Sequence, residues 1–583
     1  MENTDKLQQI RHSLAHLLAS AIMEFYPKTK LGIGPAIENG FYYDMELSSN
    51  LAPEDLSKIE DRIKELIKEN QEFIGKKVSK LVAKKLFKNQ PYKLELIKDL
   101  KDKTVGTYQN GDFLDLCKGG HVKNTKEINP NAFKLTKLAG AYWKGNEKNK
   151  MLTRIYGIAF ATENELTEYI KIQQEAEKRD HRILGEKLDL FVFSDLVGKG
   201  LPLFTEKGST IRRILERLVI DEEIKRGYKH VYTPELAKID LYKKSGHYPY
   251  YKESMYPLMK IDEEEFILRP MTCPHHYQLF LSRPRSYKEL PFRLAEFAKQ
   301  FRYEKSGELT GLIRVRSFCL ADSHIICQKL QAESEINSVL DLIEYMANIF
   351  GLKSGIDYRY RLSLGDRKDS KKYYKDDTAW DFAENVLRKL LQKRNAPFFE
   401  AEKEAAFYGP KIDIQMKNFA GKEDTAFTVQ YDFVGPKRFD LNFINNEGKQ
   451  EEAIVIHRSS IGAVERIMAF LIEKYAGAFP VWLSPAQIAI IPISAEKHLE
   501  YANKIAQKFS DNEFRFEVMA ENESLGKKIR EAEMQKIPYI LIIGDKEIES
   551  QSVGVRQRGK GDLGQMIVEN FIEKIKQEVK NKL

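Results

Sequence analysis

Three short segments of the sequence each carry one residue of a type that binds zinc. Cys273 lies in PMTCPHH, His324 in ADSHII and His457 in VIHRSSIG, each beside a Pro, Asp or Arg. Catalytic zinc commonly takes three protein ligands of these types and keeps a fourth position open. An open position could bind a substrate amine or hydroxyl directly and polarise it. The three are far apart along the chain and have no local spacing signal, so spacing alone favours three unrelated residues over a metal site.

A second set of imidazole and thiol side chains begins near the start of the chain. His12 and His16 are four residues apart in a helical pattern and therefore share one helix face, and Cys117 and His121 have the same separation in the glycine-rich segment DLCKGGHV. These four side chains could line a polar cleft that binds a metal ion or positions a water for hydrolysis. Alternatively, the histidines belong to an ordinary surface helix and Cys117 is a core thiol.

The segment FRYEKSGELTGLIRVRSF carries residues suited to a nucleotide. Arg302 and Glu304 are two apart in a predicted strand and would share a face, and Arg314 and Phe318 are four apart on the predicted return strand. An arginine can grip a phosphate and an aromatic ring can cover a purine. Arg466 follows a glycine near the start of a predicted helix in SSIGAVERI, a position that suits a polyphosphate. The chain has no GxxxxGK[ST] segment, so an ATP site would use this arginine-rich route.

The elements that must position these residues fall into four stretches. Residues 1–160 mix short helices and strands, and the charged sequence ATENELTEYIKIQQEAEKRDHRILGE predicts one amphipathic helix that makes residues 161–187 a linker. Residues 188–482 contain strands such as AFTVQYDF among helices, which indicates an α+β domain with a mostly antiparallel sheet. Residues 483–583 alternate strands (IAIIPIS, FRFEVMA, PYILIIGDKE) with helices, which predicts a compact α/β domain.

Length and composition limit the class of protein. Cores stop growing at roughly 250–300 residues, so a chain of 583 residues is expected to form about three to five domains. A hydrophobic content of 42%, no long apolar run and no signal sequence predict a cytoplasmic protein that does not enter a membrane. Four cysteines do not make a disulfide framework. The net charge of +8 is compatible with a polyanionic partner.

Several segments resemble a known family. FRYE with the following RVRSF, the earlier TPEL and the later GAVERI resemble the three motifs of class II aminoacyl-tRNA synthetases, which commonly dimerise through the first motif, here around Pro234. PMTCP, ADSHI, AAFYGPKID, FTVQYDF and VIHRSSIGAVER narrow the resemblance to threonyl-tRNA synthetases. RHSLAHLLASAIMEFYP, GIGPAIENGFYYD, LDLCKGGHV and LAGAYWKGNEKNKMLTRIYG resemble that family's editing domain, and GDKEIESQSVGVRQRGKGDLG resembles its anticodon-binding domain.

The resemblance covers almost the whole chain and implies a multidomain α+β architecture. An editing domain (1–160) and a helical linker (161–187) would precede a class II antiparallel catalytic domain (188–482) and an α/β anticodon-binding domain (483–583). The implied activity is ATP-dependent ligation of L-threonine to tRNA(Thr) through threonyl-adenylate, with hydrolysis of mischarged seryl-tRNA(Thr). Implied cofactors are one Zn²⁺ per chain and Mg²⁺ with ATP, and the implied assembly is a homodimer.

The resemblance also assigns roles to individual residues. Cys273, His324 and His457 match the zinc ligands. The residues matched to ATP are Arg302, Glu304, Arg314, Phe318 and Arg466. Those matched to threonine or the reaction centre are Asp322, Tyr408, Lys411, Thr428 and Gln430, with His247 matched to transfer onto the tRNA ribose. Those matched to the editing pocket, where they order a hydrolytic water and are not treated as metal ligands, are His12, His16, Lys93, Tyr108, Asp115, Cys117 and His121. Those matched to anticodon contacts are Asn522, Glu547 and Arg556.

The sequence departs from the family pattern at three places. The chain begins almost at RHSLAH, so the small N-terminal domain that usually precedes the editing domain is expected to be missing. The family typically has polar residues between Phe318 and Asp322, whereas here Leu320 cannot form a hydrogen bond and the substrate amine would depend more on zinc and Tyr408. The editing loop is CKGGH, where the family often has arginine and proline.

Three other functions are compatible with parts of the pattern. The chain could act mainly as a hydrolase of mischarged tRNA, as a non-catalytic RNA-binding paralogue, or as a class II synthetase of another specificity such as prolyl or seryl. The first two conflict with the intact arginines and zinc-type ligands. Another specificity would not explain both the three-ligand set and the editing cluster.

Overall fold

The computed structural model describes residues 2–419 and 421–583. The chain forms two compact units, Met1–Gln174 and Glu175–Leu583. Among the described residues, no helix is long and apolar enough to cross a membrane.

The first unit packs helices against a five-stranded antiparallel sheet. Its first helix, Glu2–Phe25, buries the apolar side chains of its segment LAHLLASAI against this sheet. The helix ends two residues before Pro27, which could not continue it. The strands of the sheet, in spatial order, are Lys30–Leu31, Gly40–Glu46, Met151–Ala159 and Phe133–Tyr142, with Ala36–Ile37 paired to the second. A smaller sheet contains Ile74–Ser79, Thr104–Asn110 and Phe113–Leu116. The other helices are Asp55–Lys68, Lys80–Leu86 and Pro91–Asp99.

The predicted single helix over 161–186 is wrong, because the chain forms two helices there. The first, Glu163–Arg179, ends just before Asp180, and the second is His181–Lys187. The Asp180 carboxylate caps the second helix by accepting a hydrogen bond from the Arg182 amide at 2.8 Å. Aspartate competes with helical hydrogen bonding in this way, so a charged amphipathic pattern alone could not reveal the break.

An eight-stranded, mainly antiparallel sheet forms the centre of the second unit and confirms the predicted fold class. Its strands, in spatial order, are Lys229–His230, Phe292–Phe301, Ser317–Cys327, Ile454–Ala463, Glu423–Asp432, Lys411–Lys417, Tyr358–Ser363 and Phe398–Ala401. The helices around this sheet are Glu206–Lys225, Ile239–Ser245, His247–Tyr250, Cys273–Leu281, Ala332–Ile349, Asp377–Lys393, Gly435–Phe439 and Val464–Tyr475. Smaller strands are Phe191–Val192, Leu203–Phe204, Leu236–Lys238, Met259–Ile261, Glu264–Leu268, Asn442–Ile444 and Gln450–Glu452.

The register of this sheet places polar side chains in a row across four strands. His324 lies opposite His457, which lies opposite Gln430, which in turn lies opposite Lys411. Two residues along the strands, Asp322, Ser459 and Thr428 make a second row. Side chains two apart on a strand share a face, so both rows point to the same side of the sheet.

Two details of the predicted nucleotide strands are wrong. The strand Phe292–Phe301 ends before Arg302, so Arg302 and Glu304 belong to the loop that follows it. The return strand begins at Ser317, so Arg314 also lies in this loop and only Phe318 is on the strand. The prediction that Arg302, Glu304 and Arg314 point to one face because they are evenly spaced on strands therefore does not hold.

The C-terminal part of the second unit is the expected α/β domain with additional elements. Its sheet has the strands Phe516–Val518, Ile488–Pro492, Tyr539–Ile543, Ser552–Gln557 and Gly561–Ile567 in spatial order. Its helices are Ala495–Asp511, Leu525–Met534, Asp545–Glu549 and Val568–Lys580. The sequence predictions omitted the two antiparallel strands between Ser552 and Ile567 and the short helix before them. The segment QMI (565–567) forms the end of the final strand, and the last helix begins at Val568.

Candidate active site

A cleft of about 620 Å³ opens on the polar face of the eight-stranded sheet. It brings together every side chain that the sequence assigned to zinc, ATP, threonine or transfer. The predicted residues that line it are His247, Cys273, Arg302, Glu304, Arg314, Phe318, Asp322, His324, Tyr408, Lys411, Thr428, Gln430, His457 and Arg466. Residues as far apart in sequence as His247 and Arg466 thus converge on one site.

Cys273, His324 and His457 form a compact set of three buried ligand-type side chains. Their candidate ligand atoms lie within 4.8 Å of one another. The two histidines are direct partners on neighbouring strands, and Cys273 is the first residue of the helix Cys273–Leu281. Burial lowers the pKa of His324 well below its ordinary value, which keeps the imidazole neutral and able to donate a lone pair. Burial raises the pKa of the Cys273 thiol, so without a cation the sulfur stays protonated.

Each of the two histidines is oriented through its other nitrogen. His457 Nε2 lies 2.8 Å from the Asp432 carboxylate, which leaves Nδ1 for a metal. His324 Nδ1 lies 2.8 Å from Nδ1 of His276, whose Nε2 is 3.3 Å from Glu296. Carboxylates that fix the tautomer of a ligating histidine are the usual outer partners of metal sites. The donor types, burial and outer hydrogen bonds therefore fit a Zn²⁺ ion.

The side chains assigned to the amino acid surround this set. The Tyr408 ring stacks on the His457 ring at 5.0 Å, and its hydroxyl donates to Gln430, whose amide nitrogen donates to Thr428 Oγ1 at 3.1 Å. Burial raises the pKa of Asp322, which lies in the row beside His324. The ionised form of Asp322 can accept a hydrogen bond from a hydroxyl, and an apolar analogue would leave one of its oxygens unpaired.

Cationic side chains gather at the other end of the cleft. The Arg302 guanidinium lies 5.0 Å from the centre of the Phe318 ring, and its buried Nε atom has no hydrogen-bond partner among the described residues. Arg466, on the first turn of the helix Val464–Tyr475, donates to the Ile313 and Thr425 carbonyls at 3.1 and 2.6 Å. Arg314 is more open, 3.9 Å from Glu304. Buried arginines with free donors favour an anionic ligand such as a polyphosphate.

His247 and Lys411 also line this cleft. Burial lowers the pKa of His247 to about 3, and its Nδ1 atom is 2.7 Å from Ser245 Oγ. Its Nε2 atom lies 3.9 Å from the Cys273 sulfur. Lys411 Nζ is 3.0 Å from Asp413. A pKa of about 3 keeps the imidazole neutral at pH 7, so His247 can form hydrogen bonds in the cleft but is a weak base.

In the first unit, the predicted editing residues also converge. The Cys117 sulfur lies 3.5 Å from His12 Nε2 and 3.2 Å from His121 Nε2, and the rings of His16 and His121 are 4.3 Å apart. Burial lowers the pKa of His121 to about 2 and that of His16 well below its ordinary value. Tyr108 packs against His121 at 4.7 Å. The four ligand-type atoms lie within 4.8 Å of one another, so either a metal or an ordered water would fit.

A buried ion pair supports this cluster. Lys93 Nζ lies 2.6 Å from Asp115 Oδ1 and 2.9 Å from the Tyr43 hydroxyl, and Tyr43 also donates to Asp115. The other Asp115 oxygen is 3.9 Å from His16 Nε2. The carboxylate therefore links the lysine to the histidines. Tyr43 also belongs to this network, although the sequence analysis did not include it among the editing residues.

The three predicted anticodon residues lie in the C-terminal domain. Glu547 accepts hydrogen bonds from the Gly544 amide at 2.9 Å and from Gln565 at 2.7 Å, and Arg556 is on the neighbouring strand Ser552–Gln557. Asn522 is exposed in the loop before the helix Leu525–Met534. Their role in tRNA binding stays a prediction.

A further cluster, Asp180, His181 and Glu473, has ligand-type atoms within 4.8 Å of one another but is already satisfied by protein contacts. His181 Nδ1 is 2.7 Å from Glu473, and its Nε2 accepts a hydrogen bond from the Leu312 amide at 3.1 Å. Both ring nitrogens are therefore engaged. The cluster ties the helix His181–Lys187 to the loop that carries Arg314.

Several functional neighbours were missed by the sequence argument. Asp432 and His276 lie inside the quoted segments FTVQYDF and PMTCPHH, but their partners are on other strands. Glu465 precedes Arg466 and accepts a hydrogen bond from the Cys319 amide at 2.9 Å. Gln300, next to the last residue of the strand Phe292–Phe301, also lines the cleft, and no pattern in the sequence singled it out.

Comparison with known proteins agrees with this geometry. The family model for the tRNA synthetase class II core domain (G, H, P, S and T) matches residues 256–475, that for the anticodon binding domain 487–578, and that for the threonyl and alanyl tRNA synthetase second additional domain 105–156.

Individual relatives cover nearly the whole chain. A threonine–tRNA ligase of Geobacillus sp. (strain WCH70) is 48% identical over 99% of this chain and 89% of that relative, and one of Geobacillus kaustophilus is 46% identical over 99% and 88%. A solved RNA binding domain of threonyl-tRNA synthetase from Cryptosporidium parvum Iowa II superposes with a TM-score of 0.65 at 33% identity, covering 68% of this chain and 98% of that one. The chain therefore belongs to the threonine–tRNA ligase family.

Proposed function

We propose that this protein activates L-threonine with ATP, transfers it to tRNA(Thr), and hydrolyses seryl-tRNA(Thr) formed in error. The observation that carries the proposal is the single cleft in which a Cys/His/His set, a buried carboxylate and three arginines meet. An amino acid and a nucleotide must be held side by side to form an adenylate, and this cleft has a distinct end for each.

Cys273, His324 and His457 would hold one Zn²⁺ ion per chain, which would supply a Lewis acid for the amino and hydroxyl groups of threonine. Asp322 accepts from the substrate hydroxyl. Asp322 Oδ2 already accepts a hydrogen bond from Gln300, whereas valine, which lacks the hydroxyl, would leave the other carboxylate oxygen without a donor, so the pocket rejects valine strongly.

On the nucleotide side, Phe318 covers the adenine and Arg302 binds the α-phosphate beside the threonine carboxylate. Arg314 and Arg466 bind the outer phosphates, with ATP entering as its Mg²⁺ complex. The threonine carboxylate attacks the α-phosphorus, the bond between the α-phosphorus and the bridging oxygen to the β-phosphate breaks, and pyrophosphate leaves while negative charge gathers on the phosphate oxygens. The Arg302 guanidinium is partly desolvated beside the Phe318 ring, so its attraction to that charge is less screened by water.

Serine keeps the hydroxyl and lacks only a methyl, which is worth about 1–3 kcal/mol in a pocket and is too little for faithful discrimination. The cluster around Cys117 in the first unit would remove this error. His12, His16 and His121 are held neutral by burial and can orient a water for attack on the seryl ester. The matched second additional domain, which includes Cys117 and His121, supports this assignment.

The protein would act as a homodimer through the surface around Pro234. The strand Lys229–His230 is at the edge of the central sheet, and the neighbouring Tyr232 side chain is 93% exposed. An exposed aromatic beside an open sheet edge is a typical feature of an interface. Sedimentation of wild type and Tyr232→Asp measures whether the dimer depends on this surface.

Amino-acid-dependent exchange of pyrophosphate into ATP tests the main proposal. Threonine should support strong exchange, serine weaker exchange and valine almost none, in protein containing about one zinc per chain. Absence of exchange with all three amino acids, from folded protein that contains zinc, would contradict the proposal.

A further inference from the structure

We infer that Gln300 is a specificity residue of the amino-acid pocket and that its carbonyl oxygen accepts a hydrogen bond from the substrate's amino group. The inference rests on the proposed function and assigns one more contact to the same site. Gln300 lines the cleft from the strand Phe292–Phe301 and is 1% exposed.

The hydrogen bonds of Gln300 fix the orientation of its amide. The nitrogen donates to Thr272 Oγ1 at 3.0 Å and to Asp322 Oδ2 at 3.3 Å. A carboxylate oxygen accepts and does not donate, so the nitrogen and not the oxygen of the amide faces Asp322. Gln300 therefore holds the carboxylate assigned to the substrate hydroxyl.

The Gln300 Oε1 atom is buried and, among the described residues, has no hydrogen-bond partner. Leaving a buried acceptor unpaired is costly, so such an atom in a ligand cleft marks a position for a donor from the ligand. The amide and hydroxyl acceptors nearby are already used, because Tyr408 donates to Gln430 and Gln430 donates to Thr428. Leu320, which lines the same cleft, offers no polar atom.

Threonine presents two donor groups to this pocket, its side-chain hydroxyl and its amino group, whose N–H bonds stay available when its lone pair is given to zinc. Asp322 takes the hydroxyl. The amino group is the remaining donor, and Gln300 Oε1 is the free acceptor beside Asp322. Gln300 pairs with Phe318 across the two strands, so it also lies at the boundary between the amino-acid and nucleotide ends of the cleft.

The test is pyrophosphate exchange by full-length Gln300→Met, which keeps the side-chain length and removes the amide. Loss of one hydrogen bond to an amino group should raise the KM for threonine about 10- to 100-fold and that for serine by a similar factor, with the KM for ATP changed less than about twofold. Adding Leu320→Gln, which returns an amide to the cleft, should recover part of the threonine affinity.

Gln415→Met is the matched control, because Gln415 is a buried glutamine that donates to Thr425 at 2.6 Å and does not line the cleft. Gln300→Asn, which withdraws the amide by one methylene, is measured beside Gln300→Met in case the latter does not fold. Unchanged threonine KM in folded variants, or an equal rise in the control, would overturn the inference. A wild-type protein without threonine-dependent exchange would instead refute the proposed function itself.

Discussion

Replacing Asp432 by asparagine tests how the metal site is oriented. Asp432 Oδ1 accepts hydrogen bonds from the amides of Val434 and Gly435 at 2.8 and 2.7 Å, and Oδ2 faces His457 Nε2 at 2.8 Å. Asparagine can keep both amide bonds through its oxygen. Its NH2 group would then face His457 and donate to Nε2, which moves the imidazole proton to Nδ1. Nδ1 would no longer have the lone pair that a metal needs.

The expected loss can be bounded from this contact. Removing an outer hydrogen-bond partner of a metal ligand typically weakens metal binding about 10- to 100-fold, or about 1.4–2.7 kcal/mol. The tautomer must change in addition, so Asp432→Asn should lie near the upper end of that range. Zinc affinity is measured by competition with a chelator of known affinity, and the KM for threonine by pyrophosphate exchange, with the KM for ATP recorded in parallel.

Glu335→Gln is the control for a general loss of stability. Glu335 is a buried carboxylate that binds Arg293 at 2.6 and 2.7 Å and does not line the cleft. This variant should unfold at a lower temperature and yet bind zinc like wild type. Equal zinc affinity in Asp432→Asn and wild type would refute the proposed orientation of His457. An equal loss of zinc affinity in Asp432→Asn and Glu335→Gln would also refute it.

Three further outcomes are expected. Cys273→Ala should lose zinc and threonine-dependent exchange together, as measured by metal analysis and exchange, and retained exchange would exclude the zinc assignment. The double variant His12→Ala/His16→Ala should activate threonine normally and accumulate seryl-tRNA in a deacylation assay, whereas normal clearance would exclude the editing role. His121, with a pKa near 2 when folded and about 6.5 when unfolded, takes up a proton on unfolding between these values, so stability is lost as the pH falls below 6.5. His121 alone should contribute up to about 1.4 kcal/mol per pH unit to the fall in the opening free energy of the first unit, measured by hydrogen exchange, so the fall should be less steep in His121→Asn.

The sequence was sufficient to predict the fold class because the periodicity of strands and the order of motifs can be read directly along the chain. The α/β alternation after residue 483 and the antiparallel core are examples. The ends of elements were less predictable. Arg302 continues a strand-like pattern, but the chain leaves the sheet at Phe301, and only the pairing of Phe301 with Ser317 fixes that end.

The sequence predicted which residues line the candidate site. It did not predict the hydrogen bonds that hold those residues in place. The resemblance pointed to Cys273, His324 and His457, which the structure brings together. It did not point to Asp432 or Gln300, because their importance comes from strand register and from one unpaired oxygen. Both properties depend on which residues face each other across the sheet, and neither leaves a pattern along a single chain.

The break at Asp180 has a consequence for building chimeras of this protein. Because His181 is bonded to Glu473 and to the loop before Arg314, the short helix His181–Lys187 is an integral part of the synthetase core despite its place in the linker sequence. A foreign editing module should therefore be joined on the N-terminal side of Asp180, within the helix Glu163–Arg179. A junction on the other side would replace the helix His181–Lys187 and remove the contacts of His181 with Glu473 and with the loop that carries Arg314.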